Sequence, residues 1–155
     1  MAVEAPEVLE ISKCREIGRV CACFKVRKAA RAITKLYDEA FRPIGLRATQ
    51  CSLLVATRIL GPVTVSKLAR ASVMDRTTLT RNLQVLEKRG LIEIRPGKDR
   101  REREVILTAA GLRVLVTAIP LWEEAQNRVS QGLGEERMHN LLGGLSEMIA
   151  LAKGK

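Results

Sequence analysis

Two short runs rich in Leu, Ile and Val interrupt a chain whose other apolar residues recur at helical spacing. The runs are Leu91-Ile92-Glu93-Ile94 and Glu104-Val105-Ile106-Leu107, and the turn-forming sequence Pro96-Gly97-Lys98-Asp99 lies between them. This arrangement predicts a single β-hairpin with a basic tip. We therefore expect a mainly α fold with one small hairpin.

Residues that favour helix ends divide the rest of the chain into helices. Thr49, Thr64, Asp75 and Thr108 each precede an apolar-periodic segment and can act as N-caps. We expect one helix over 13–42, short helices after Thr49, Thr64 and Asp75, a helix over 109–131 bent or broken at Pro120, and a last helix over 135–152.

Positive charge is concentrated in the middle of the chain. The 155 residues include 27 Lys and Arg against 17 Asp and Glu, a net charge of +10. Residues 62–104 carry +5 of it, whereas residues 105–155 are neutral. This pattern favours a polyanionic partner for the middle segment. Aromatic residues are only 3%, which argues against a base-stacking RNA or single-strand binder.

Several protein classes lack their signatures here. The four cysteines and the single His139 fit neither a zinc-finger spacing nor a secreted disulfide framework. We expect no transmembrane helix, because no 18-residue uncharged run exists, and no signal peptide, because the N-terminus is acidic. A cytoplasmic protein with no metal and no cofactor is expected. No catalytic constellation is recognisable, so we do not expect an enzyme.

The helix after Asp75 has the character of a DNA-reading helix. Leu79, Leu83 and Leu86 form one apolar face. The remaining positions combine cations for phosphates with side chains that read base edges in a major groove. A solvated amphipathic helix is the alternative. The predicted DNA-binding residues here are Arg76, Thr77, Thr78, Thr80, Arg81 and Gln84.

The hairpin tip adds a second basic surface directly after this helix. Arginines on a β-tip beside a recognition helix suit phosphate or narrow minor-groove contacts, and Asp99 can hold one guanidinium in a fixed pose. A charged, solvated turn is the alternative. The predicted DNA-binding residues of the hairpin are Lys98, Asp99, Arg100, Arg101 and Arg103.

These segments together resemble the multiple-antibiotic-resistance regulator (MarR) family. The similarity lies in residues 74–81 and 86–92, the Asp99-Arg100-Arg101 run and Leu107-Thr108-Ala109-Ala110-Gly111. The resemblance implies a winged helix-turn-helix homodimer that binds pseudo-palindromic double-stranded DNA, usually a repressor released by a small molecule or oxidant. It also implies that Arg101 enters the minor groove, oriented by Asp99, and that the helix around 77–84 reads the major groove.

The resemblance further implies one domain over 1–155, with dimerisation helices in 13–48 and 109–155 around a DNA-binding lobe at 49–108. The neutral C-terminal third fits a dimer, because its apolar stripes need a partner unless they pack within one chain. Two recognition helices would then lie about one DNA turn apart. The stripe residues are Leu112, Leu115, Ile119, Trp122, Val129, Leu141, Leu145 and Met148.

Two kinds of signal are compatible with such a regulator. A small molecule would bind a cleft between the dimerisation helices and the DNA-binding lobe, with Phe24, Tyr37, Phe41 and Trp122 as candidate lining residues. These aromatics are equally compatible with a plain core. The sequence does not fix the effector, the operator, the regulated genes or the sign of regulation.

Thiol oxidation is the alternative signal. Cys23 and Tyr37 match the spacing of the sensor cysteine and a tyrosine in the organic-hydroperoxide-sensing branch that this helix is similar to. Arg27 replaces that branch's second tyrosine. A buried structural cysteine and a cross-dimer soft-metal site are further readings of the cysteines. A non-sensing architectural DNA-binding protein is a third, less favoured function.

Overall fold

A computed structural model describes residues 11–99 and 101–154. Its order of elements is α1 (Ile11–Val20), α2 (Ala22–Ala40), a 3-10 helix (Arg42–Ile44), α3 (Ala48–Leu60), β1 (Val63–Thr64), α4 (Val65–Ser72), α5 (Arg76–Lys88), β2 (Ile92–Pro96), β3 (Arg103–Leu107), α6 (Ala109–Leu133) and α7 (Glu135–Ala152). The fold is mainly helical with one small antiparallel sheet, as predicted. No helix in the described part is long and apolar enough to cross a bilayer.

The chain divides into two compact units. The first ends at Leu36 and the second begins at Tyr37, within α2. In the first unit, the predicted continuous helix over 13–42 is wrong in one respect, because it is interrupted at Cys21. The Cys21 Sγ accepts the Phe24 backbone N–H at 3.5 Å, a local contact that the apolar periodicity does not reveal.

The second unit is built around a three-stranded sheet in the order β1-β3-β2. The predicted hairpin is present, with Ile94 opposite Val105. The sequence pattern missed β1, which pairs Val63 with Val105 on the other side of β3. Two residues are too few to show an alternating pattern.

Three of the four predicted N-caps are confirmed. Thr64 accepts the Lys67 N–H, Asp75 accepts the Thr78 N–H, and Thr108 accepts the Gly111 N–H. The predicted cap at Thr49 is wrong, because the N-cap is Arg47, two residues earlier, and α3 begins at Ala48. The Asp38 carboxylate accepts the Ala48 N–H at 2.7 Å, so a residue ten positions upstream stabilises this helix start.

Helix α6 is continuous through Pro120, so of the bend or break predicted there the break is absent. Helix α7 has the predicted bounds. Between α4 and α5, Val73 adopts a left-handed backbone with φ 51° and ends α4 through its N–H bond to Arg70 O. A β-branched residue is costly in this region, by about 1–2 kcal/mol, so the short turn imposes its geometry on Val73.

The core of the second unit lies between the sheet and the helices that surround it. It includes all three leucines predicted for the inner face of α5, which are at most 2% exposed. This packing fixes which face of α5 points outward. The core residues are Phe41, Leu46, Cys51, Leu53, Leu54, Val63, Leu68, Leu79, Leu83, Leu86, Leu91, Ile92, Val105, Leu115 and Ala118.

Candidate nucleic-acid interface

The start of α5 is held by a double hydrogen bond. One Asp75 carboxylate oxygen accepts the Thr78 N–H at 2.8 Å, and the other accepts the Thr78 hydroxyl at 2.6 Å. These bonds, the side-chain one first, lower the pKa of Asp75. Thr78 was predicted to contact DNA. Its hydroxyl proton is instead donated to Asp75 and stabilises the N-cap of α5. The Thr80 hydroxyl likewise donates within the helix, to Arg76 O.

Acid should weaken this cap. Because the folded state lowers the pKa of Asp75, its contribution to stability is complete above the ordinary value of 3.8 and is lost as the pH falls through the lowered folded value. Asn caps helices well but does not titrate in this range. We expect urea midpoints of the wild type to fall more steeply below pH 4 than those of Asp75→Asn. Parallel curves would contradict this role for the carboxylate.

A groove of about 450 Å³ runs between α5 and the wing, which is the β2–turn–β3 segment at residues 92–107. We call it the α5–wing groove. One wall is the outer face of α5, and the facing wall belongs to the wing. It brings together five residues predicted to bind DNA, namely Arg76, Thr80, Gln84, Arg101 and Arg103.

The other predicted contact residues do not line this groove. Thr77, Thr78 and Arg81 lie on exposed parts of α5, and Lys98 and Asp99 lie at the exposed wing tip. Arg100 lies outside the described residues. The predicted interface is therefore a central groove with exposed flanks at the start of α5 and at the wing tip.

Asp99 orders the wing tip differently from the expectation. Its carboxylate accepts the backbone N–H of Arg101 at 2.9 Å, and its carbonyl accepts the Glu102 N–H. Among the described residues the Asp99 carboxylate contacts the backbone and shapes the turn, and no contact with a guanidinium is seen there. In the described part of the chain the Arg101 guanidinium has no hydrogen-bond or ion-pair partner, so it is available to a ligand.

The sequence prediction missed the acidic members of this groove. Glu87 and Glu102 lie among its arginines, and Thr64, Val65 and Ser66 at the start of α4 also line it. The Glu87 carboxylate accepts the Ile94 N–H of β2 at 3.2 Å. The position of Glu87, three residues after Gln84 and seven after Thr80, could have revealed that these side chains share a face.

The candidate ligand-cleft residues have different environments. Phe41 is 2% exposed and belongs to the core, which favours the alternative interpretation of this ring as plain core. Its ring lies 6.3 Å from that of Tyr37, whose hydroxyl donates to Gln126 Oε1. Burial raises the pKa of Tyr37. Phe24 and Trp122 are each about half exposed in their own units.

The cysteines are all free thiols. Cys23, the candidate redox sensor, is exposed on α2, as is Cys14 on α1. Cys51 is buried in the core, and burial raises the pKa of its thiol. Cys51 therefore fits the reading of a small buried apolar residue, whereas Cys23 is accessible to an oxidant.

The helices predicted to dimerise leave apolar side chains uncovered in the single chain. Neither α1, α2 nor α7 contains a buried residue. Leu115 is an exception to the predicted stripes, because it packs into the chain's own core. The large apolar residues exposed on α6 and α7 include Leu112, Val116, Ile119, Trp122, Leu133, Leu141, Leu142, Met148, Ile149 and Leu151.

Comparison with known proteins decides the family. Residues 44–102 match the model of the MarR family. The transcriptional regulator MosR of M. tuberculosis, solved in complex with DNA, is 38% identical with a TM-score of 0.74, covering 85% of this chain and 98% of MosR. The chain belongs to the MarR family. It is accordingly a DNA-binding transcriptional regulator of MarR type.

Two further similarities agree with this assignment. A probable transcriptional regulator from Pseudomonas aeruginosa is 27% identical with a TM-score of 0.76, covering 84% of this chain and 98% of that one. The HTH-type transcriptional regulator YwoH of Bacillus subtilis is 34% identical over 84 residues. That match spans 54% of this chain and 61% of the length of YwoH. The family-model match contains α3, α4, α5 and β2, the elements that form most of the predicted DNA-binding lobe.

Proposed function

We propose that this MarR-family protein is a homodimeric cytoplasmic repressor, not an enzyme, that binds a pseudo-palindromic DNA operator and is released by a small-molecule effector. The α5–wing groove is the observation that carries the proposal. It combines base-reading and phosphate-binding side chains from two elements in one surface. Repression, as opposed to activation, and release by an effector are inferred from what is usual in the MarR family.

The chemistry of the side chains in this groove indicates which part of the DNA each of them contacts. Gln84 on the outer face of α5 can make paired hydrogen bonds to adenine, and Arg76 can do so to guanine or bind a phosphate. Arg101 on the facing wall suits a narrow minor groove, where the negative potential is enhanced. Since α5 and the wing contact adjacent grooves of one duplex in this arrangement, both contribute to affinity.

Selection from a library of randomised duplexes tests the proposal. We expect enrichment of an inverted repeat whose half-site centres lie about 10 base pairs, or a multiple of that, apart. Absence of an enriched sequence would favour the architectural alternative. A single asymmetric site would contradict the dimeric arrangement.

Thiol sensing through Cys23 is the second candidate, favoured by the exposure of this thiol on α2. Oxidation to a sulfenic acid or a mixed disulfide would shift the dimer towards a state that does not bind DNA. The selected duplex offers a direct comparison. Release of wild type but not of Cys23→Ser by an organic hydroperoxide would establish this mechanism, and retention of both would exclude it.

Helix α7 should contribute to the dimer. Leu141 is 46% exposed in the single chain, so covering the rest of it stabilises an assembly by about 1 kcal/mol for each of the two copies. We therefore expect Leu141→Glu to raise the dimer dissociation constant by roughly tenfold or more, as measured by analytical ultracentrifugation. Ile59→Glu on α3 is the matched control, since Ile59 is 76% exposed and lies outside the proposed dimer helices. Equal association of the two variants would argue against α7 as an interface.

A further inference from the structure

Strand β2 is at the edge of the sheet, next to β3 only. Its backbone groups that point away from β3 need partners from elsewhere. Two side chains meet this need at one residue. The Glu87 carboxylate accepts the Ile94 N–H at 3.2 Å, and the Arg103 guanidinium donates to Ile94 O at 3.4 Å. A side-chain hydrogen bond thus joins α5 to the wing at Ile94.

The location of Glu87 is unfavourable for binding a polyanion. It lines the α5–wing groove with Arg76, Arg101 and Arg103, and a carboxylate there repels DNA phosphates. Its hydrogen bond with the Ile94 N–H indicates a structural role for this carboxylate. It connects the last turn of α5 to the strand that leads to the wing tip, while Gln84, one turn earlier, faces the same groove.

We propose that Glu87 is a positioning residue that fixes the wing relative to α5, so that Gln84 and Arg101 engage one duplex simultaneously. The proposal rests on the DNA-binding function proposed above. Glu87 itself contacts no base or phosphate in this account. Its effect on affinity passes through Ile94 to the wing.

Two neutral substitutions separate the hydrogen bond from the charge. Glu87→Gln keeps an oxygen that can accept the Ile94 N–H, whereas Glu87→Met has a similar length and no such acceptor. Both remove the repulsive charge equally. We expect the Gln variant to bind the selected duplex about three- to tenfold more tightly than the Met variant, by fluorescence anisotropy.

A double-mutant cycle shows whether the effect passes through the wing. In an Arg101→Ala background the wing has lost its principal contact, so the difference between Gln and Met at position 87 should disappear. A purely structural role would leave that difference in place and would overturn the proposal. Equal affinities of Glu87→Gln and Glu87→Met in the protein that retains Arg101 would overturn it as well.

Glu102 provides the matched control, because it is another carboxylate of the same groove and its side chain makes no hydrogen bond in the described part of the chain. Glu102→Gln and Glu102→Met should bind the selected duplex with equal affinity.

Urea unfolding of each variant verifies that it is folded, and Glu87→Leu replaces Glu87→Met if the Met variant is not folded. Wild type is titrated first with selected and shuffled duplexes. Failure of the wild type to distinguish these duplexes would refute the proposed function itself. If the wild type distinguishes them but Glu87→Gln and Glu87→Met bind the selected duplex equally, only the role of Glu87 is refuted.

Discussion

Replacing Gly111 with alanine should destabilise the fold by about 3 kcal/mol, as expected for overpacking against atoms that cannot move aside. A Cβ at this position would lie 2.0 Å from the Leu91 carbonyl oxygen and 2.7 Å from Leu107 Cδ1. The Leu91 oxygen cannot retreat freely, because it accepts the Thr108 N–H at 3.2 Å. The first turn of α6 therefore packs directly on the backbone that leads into the wing.

Gly132, in the same helix, is the matched control for Gly111. A Cβ at Gly132 meets nothing within 4 Å, and alanine is the better helix former. Gly132→Ala should therefore be neutral or stabilising by up to about 1 kcal/mol. Urea unfolding at one fixed protein concentration measures both, since dimerisation makes stability depend on concentration. If Gly111→Ala were as stable as Gly132→Ala, the close packing of α6 on Leu91 would be wrong.

Replacing Arg101 with alanine should weaken operator binding on the order of 10- to 100-fold without changing the urea midpoint. The side chain is exposed, and its backbone N–H, which alanine retains, supplies the contact to Asp99. The loss therefore falls on DNA binding and not on folding. Arg101→Lys keeps the charge but not the planar fork, so we expect it to retain most of the salt dependence with an intermediate affinity.

Arg113→Ala is the control for charge alone. Arg113 is exposed on α6 and does not line the α5–wing groove, so this variant changes the net charge by the same amount. Fluorescence anisotropy on the selected duplex should give near-wild-type affinity for it. Equal losses in Arg101→Ala and Arg113→Ala would mean that only net charge matters and that the wing has no specific contact.

Local patterns predicted the elements that carry their own signals. The two short apolar runs on either side of the Pro96-Gly97 turn predicted the hairpin, and the caps at Thr64, Asp75 and Thr108 predicted three helix starts. Each of these signals involves residues close in sequence, whose contacts follow from backbone geometry. The outward face of α5 was predictable for the same reason, since its leucines recur at helical spacing.

Contacts between distant residues were not predictable in this way. Asp38 caps α3 across ten residues, and the pattern around Thr49 offered a plausible local cap instead. Nothing in the sequence around Phe41 distinguishes an aromatic ring in the core from one that lines a ligand cleft. The bond from Glu87 to Ile94 exists only because the wing folds back against the end of α5. Such pairings depend on tertiary packing, which overrides local preference.

The Leu107-Thr108-Ala109-Ala110-Gly111 segment, which carries part of the family resemblance, acquires a physical reason from the structure. Thr108 accepts the Gly111 N–H and donates its own hydroxyl to Gly90 O at 2.7 Å. Gly111 then has no side chain because the Leu91 carbonyl occupies that space. The motif thus joins the start of α6 to the chain between α5 and the wing, and so helps to hold the DNA-binding lobe in shape.

The most direct test of sequence-specific reading by the α5–wing groove is the ratio of dissociation constants for the selected and the shuffled duplex, measured over a series of salt concentrations. We predict a ratio on the order of 10³ or more near physiological salt, with affinity for both duplexes falling as salt rises. Equal affinities at every salt concentration would contradict the account, because they would reduce binding to phosphate contacts alone.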